Sequence, residues 1–185
     1  MAALITELTD KIAALEAELE VELAKRRAEL RVGLEQGRVA FEEEILRRHR
    51  ELRTKLSDYI LRAHPLVVLT APVIYSLIFP LLLLDMFVTV YQAVCFPVYG
   101  IAKVRRADYF IFDRYHLGYL NALEKLNCAY CSYANGLIAY VREIAGRTEQ
   151  YWCPIKHARR VIGTHAYYAQ FHDYGDAAAF RMPLK

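Results

Sequence analysis

Large apolar residues in the first third of the chain keep a register of eleven. Leu8, Leu19, Leu30, Phe41 and Leu52 are spaced by eleven, and so are Ile12, Leu23, Leu34, Ile45 and Leu56. Eleven residues close three helical turns at about 3.67 residues per turn, so the stripe stays nearly straight or winds slightly right-handed. The register predicts a helical rod over residues 4–62, roughly 88 Å long at 1.5 Å per residue. Gly33 and Gly37 are its weak points, each costing about 1 kcal/mol against Ala in a helix interior. A helix gains most of its stability from a packed face. Residues 1–62 carry thirteen acidic against twelve basic side chains. A narrow seam flanked by balanced charge suits a partner helix as a coiled coil better than an anionic lipid surface, so a homo-oligomer joined through this amino-terminal helix is expected.

The pattern changes at residue 65. Across residues 65–102 the only formally charged side chain is Asp85. About 20 apolar residues suffice to cross a bilayer, so this run reads as membrane-embedded. As one straight helix it would measure about 57 Å, nearly twice the roughly 30 Å of hydrocarbon. Pro80 is the expected hinge, because a helix interior loses a hydrogen bond at proline. Two arms over 65–79 and 81–102 would then form a helical hairpin. Basic residues flank both ends, with Arg47, Arg48, Arg50, Arg53, Lys55 and Arg62 before the run and Lys103, Arg105, Arg106 and Arg114 after it. Positive flanks stay cytoplasmic. The hairpin puts both termini there, and a long tilted single span is the alternative. Asp85 reads as a cap on the second arm rather than part of an ion pathway. The amino terminus does not read as a cleavable signal peptide.

Beyond the membrane run, Leu117, Leu120, Leu123, Leu126, Tyr130, Tyr133, Leu137, Tyr140 and Ile144 recur at three and four, a continuous helical pattern. A second face carries Glu124, Cys128, Cys131, Asn135, Arg142 and Glu149. Pro154 suits the first turn of a following helix. The fold class is therefore an all-α membrane protein in three parts: a rod over 1–63, a membrane hairpin over 64–103 and a Tyr-rich helical module, cytoplasmic or interfacial, over 104–185.

Composition adds two points. Fourteen tyrosines suit a membrane interface, where the ring is buried and the hydroxyl stays wet. Residues 105–115 mix aromatic and basic side chains and are expected along the headgroups. The formal net charge of +3 and the adjacent lipid anchor argue against nucleic acid as the partner.

Cys128, Cys131, Cys153 and His157 form C-x2-C, twenty-one residues, C-x3-H. Three thiolates and one imidazole can close a tetrahedral zinc site. An unbroken helix would hold Cys131 and Cys153 about 33 Å apart, so closure within one chain requires a break, for which Asn135-Gly136 is the natural place. Otherwise ligands are shared between subunits, or His165 or His172 joins the paired cysteines. The bland reading is that these are small buried residues in a helical hairpin, since free Cys is among the most buried residue types. Zinc is the default cofactor, with iron or an iron–sulfur cluster as the rival. Ser132 after the second cysteine disfavours haem attachment, and the reducing cytoplasm disfavours disulfides. There is no Gly-rich phosphate loop and no Ser-His-Asp set, so no catalytic residues are assigned.

The pair of segments Asn127-Cys128-Ala129-Tyr130-Cys131-Ser132-Tyr133-Ala134-Asn135-Gly136 and Tyr151-Trp152-Cys153-Pro154-Ile155-Lys156-His157 resembles segments of uncharacterised bacterial membrane proteins. The resemblance covers residues 64–158 and implies a bacterial inner-membrane setting with no activity attached. The expected role is a non-catalytic oligomeric scaffold or an accessory subunit of a larger membrane complex. A redox subunit carrying an iron centre is the alternative.

Overall fold

The computed structural model describes residues 2–29, 32–35, 38–41 and 43–181. They fall into two compact units, one of residues 1–61 with 113–125 and one of residues 62–112 with 126–185. Helices form every long element.

The first unit opens with α1, Ala2–Glu29. The expected continuous rod is not observed. After α1 come strands β1, Val32–Glu35, and β2, Arg38–Phe41, paired antiparallel with Val32 opposite Phe41 and Glu35 opposite Arg38. Helices α2, Glu43–Glu51, and α3, Leu56–Arg62, follow. The break falls where helix propensity is lowest, at Gly33 beside the β-branched Val32 and Val39. There a two-stranded ladder satisfies the backbone as well as a helix does. Leu30 and Gly37 lie outside the described residues, as do the side chains of Leu34 and Phe41. Along α1 the eleven-residue stripe itself is uncovered, with Leu8, Ile12, Leu19 and Leu23 all exposed.

Asn121 begins α6, Ala122–Trp152. Its Oδ1 accepts from the Leu123 and Glu124 amides, both at 3.0 Å, while Glu124 Oε2 accepts from the Asn121 amide at 2.8 Å. This reciprocal capping box satisfies the first backbone donors of the helix.

The second unit contains α4, Pro65–Ser76, and α5, Ile78–Tyr99. His64 Nδ1 caps α4 by accepting from the Leu66 amide at 3.3 Å. Only Leu77 separates the two helices, and its φ of −64° and ψ of −13° are right-handed helical. The hairpin expected at Pro80 is therefore not formed. Pro80 occupies the third position of α5, where a backbone N–H lacks an intrahelical partner anyway, so the chain restarts its helix and does not fold back. The α5 helix ends at Gly100, whose φ of +69° lets its amide reach the Pro97 carbonyl while the Ile101 amide reaches that of Phe96. This left-handed close suits glycine.

Residues 101–112 then run back along α5, and α6 runs beside it in the same direction. Tyr130 Oη donates to the Ile74 carbonyl at 2.8 Å, Gln92 meets Tyr140, Tyr91 meets Thr148, and Tyr99 stacks on Tyr151. Phe96, Val104, Leu137, Tyr140 and Ile144 form the buried core among these three segments. Gly136 lies inside the helix instead of breaking it. A Cβ there would stand 2.6 Å from the Tyr109 carbonyl oxygen, so glycine is what permits the close approach of the returning segment. No helix begins at Pro154. Its carbonyl accepts from the His172 amide at 2.9 Å, and the His172 carbonyl accepts from Lys156 at 2.8 Å. This short pairing, the buried Phe171 and the four-residue α7, Ala177–Phe180, are the last elements of the described residues.

Candidate functional site

The dominant surface feature is the stretch Pro65–Tyr99, 35 residues long and the one described helix apolar enough to cross a membrane. Its α5 part has two faces. Phe79, Leu82, Leu83, Met86, Phe87, Val90, Val94 and Val98 recur at three and four and are all exposed. The opposite face presents Leu81, Asp85, Val88, Tyr91, Gln92 and Phe96 to the returning segment and α6.

That inner face carries a polar network. Arg106 grips Asp85 with both guanidinium nitrogens, at 2.5 and 2.6 Å, and Tyr133 Oη donates to Asp85 at 2.9 Å. The guanidinium also lies over the Phe110 ring, 4.0 Å from its centroid. Gln92, 7% exposed, donates to Tyr140 Oη at 2.8 Å and accepts from the Val104 amide at 2.6 Å. Asp85 is thus neither a helix cap nor a lone carboxylate. Its partner arrives from a segment twenty-one residues further on, a pairing that spacing along a helix does not reveal. Burial, reinforced by the hydrogen bond to Asp85, pushes the Tyr133 phenol up to about 12, so it stays protonated and able to donate.

A second cluster closes the carboxy-terminal end of α6. Glu143 accepts from Tyr167 Oη at 2.5 Å and from Arg147 Nε at 2.8 Å, and Arg147 also donates to the Ala102 carbonyl at 2.6 Å. Partial burial raises the Glu143 pKa, but the hydrogen bonds from Tyr167 and Arg147 outweigh it and hold the carboxyl below its usual value. His165 Nε2 lies 2.7 Å from Glu149, and its ring stands where a Cβ on Gly146 would reach Cγ at 2.9 Å. An open groove of about 720 Å³ borders Gly100, Ala102, Arg147, Gln150 and His172. Arg147 is already engaged by Glu143 and the Ala102 carbonyl, so its guanidinium is committed within the fold.

The residues expected to bind metal are not brought together within one chain. The α6 helix is unbroken, so Cys128 and Cys131 stand near its beginning and Cys153 just beyond its end, about 33 Å away at 1.5 Å per residue. All four cysteines are free thiols, with Cys131 and Cys153 exposed. His157 stacks on Tyr168. His165 and His172 pack near the end of α6, against Gly146 and beside Pro154, and neither joins the C-x2-C pair. Among the described residues no three His, Cys, Asp or Glu side chains are grouped as metal ligands. A single-chain Cys3His shell does not fit this geometry.

Gln92 was not singled out from the sequence, although it is the one carboxamide within residues 65–102 and so carried a signal. Arg106, Glu143 and Tyr167 carried no comparable signal, since each acts through a partner distant in the chain. Comparisons with protein-family models, curated proteins and solved structures find no match for the chain.

Proposed function

We propose that this protein is a non-catalytic scaffold or accessory subunit at the bacterial inner membrane, anchored through residues 65–99 and self-associating through α1. The observation that supports this reading is the α5 surface, where a full-length apolar stripe is exposed while the opposite face packs on the returning segment and α6. A soluble protein rarely leaves so large a contiguous apolar patch uncovered. The uncovered stripe of α1 is a second apolar surface and suits another copy of the same helix.

The anchoring is tested by fractionating cells that express the full chain. The protein is expected in the membrane pellet, resistant to high salt and alkaline wash, and released by detergent. Recovery as a dispersed protein in detergent-free buffer would overturn the assignment.

The cysteine and histidine set enters this reading only between copies. With Cys128 and Cys131 at one end of α6 and Cys153 and His157 at the other, a zinc ion would take its thiolates and imidazole from two chains. The rival redox role is separated by colour. Bound iron with visible charge-transfer absorption in the purified protein would favour electron transfer, and a colourless preparation the scaffold.

A further inference from the structure

We infer that α5 lies in the plane of the bilayer, half-submerged in one leaflet, and does not cross it. This rests on the membrane anchoring proposed above and concerns how the anchor sits. The exposed stripe from Phe79 to Val98 occupies one side of α5 from end to end. A spanning helix meets lipid along its whole length too, but whatever packs on its other side must then share the hydrocarbon. Here that covering is unsuited to lipid. Residues 101–112 run alongside α5 mostly as irregular chain, and Arg106 joins Asp85 partway along the apolar stretch. Beside this pair, Arg105 and Asp108 have side chains 80% and 56% exposed.

Spanning would therefore place non-helical backbone and exposed charges at hydrocarbon depth. Irregular backbone exposed to lipid does not occur there, and a charge at the bilayer centre costs at least about 2.5 kcal/mol. Rotating the helix into the membrane plane removes the conflict. The apolar stripe then faces acyl chains, and the Asp85–Arg106 side faces water. The same orientation keeps the basic flanks at Arg62 and Lys103 on one side of the membrane, as positive flanks require. In α4, Leu66, Val67, Val68 and Leu69 are exposed in four successive directions, so lipid meets the start of this helix on several sides, while its end packs on Tyr130.

The test uses the full chain in phosphatidylethanolamine and phosphatidylglycerol vesicles. In a Trp152→Phe background, Leu83→Trp, Phe87→Trp, Val94→Trp and Val98→Trp are made one at a time, and depth is read by quenching with lipids brominated at different acyl positions. One common, shallow depth is expected at all four positions. A steady change amounting to roughly 22 Å between positions 83 and 98 would show a spanning helix and overturn the inference while leaving the anchoring intact. Four tryptophans that no lipid quencher reaches would overturn both. The wild-type protein supplies a measurement free of substitutions: Asp108 is expected to react with a water-soluble carbodiimide in the vesicles as readily as the exposed Glu51. Shielding of Asp108 relative to Glu51 would overturn the in-plane placement.

Discussion

At the scale of single residues, two side-chain positions make sharp predictions. Gly136 is surrounded by α6 and touched by the Tyr109 carbonyl, so a methyl group there has no room unless the returning segment moves. Gly136→Ala is expected to destabilise the protein by about 1–3 kcal/mol, the usual cost of overpacking, despite alanine's better helix propensity. The shift of the denaturation midpoint in detergent measures it. Glu143 predicts a pH dependence. Its folded pKa is held below the ordinary 4.5 by Tyr167 and Arg147. The carboxylate therefore contributes stability that is fully present above its unfolded value and is lost as pH falls through the lowered folded value. The stability difference between wild type and Glu143→Gln is expected to be largest near neutral pH and to shrink under acid. A difference that grows on acidification would contradict the assigned hydrogen bonds.

At the scale of elements, α1 and α6 behave differently from what periodicity alone suggests. The eleven-residue register runs past Gly33, yet α1 stops at Glu29 and a hairpin follows. Apolar spacing is silent about where a weak helix yields to a local ladder. The surviving stripe on α1 is exposed, and Leu19, 58% exposed, is at its middle. Leu19→Asp is expected to lower the oligomer mass measured by light scattering in detergent, because a partner helix would have to bury the charge. The same substitution at Lys25, on the opposite side of α1, should leave the mass unchanged. An unchanged mass for Leu19→Asp would remove α1 as the oligomer contact. In α6 the capping box at Asn121 and Glu124, together with the packed face of Tyr133, Leu137, Tyr140 and Ile144, carries the helix through Asn135-Gly136.

At the scale of the whole molecule, the unbroken α6 decides the fate of the cysteine set. A metal shared between chains makes metal content and assembly the same measurement. On the proposed shared site, Cys128→Ser and Cys153→Ser should each abolish zinc co-purification, and the double variant should be little worse than either, since all remove ligands from one shell. A metal-free wild type, purified reduced and without chelator, would remove the shared site and leave the scaffold role standing. The extent of the apolar run, the helical character of residues 122–144 and the C-x2-C spacing of Cys128 and Cys131 were all determined by sequence alone, because each is a local pattern of spacing or composition. The continuity of α4 and α5 through Pro80, the meeting of Asp85 with Arg106, the need for glycine at 136 and the separation of Cys131 from Cys153 were decided only by tertiary structure. Each depends on which segment lies beside which, and that follows from packing many weak contacts at once rather than from the residues nearest in the chain.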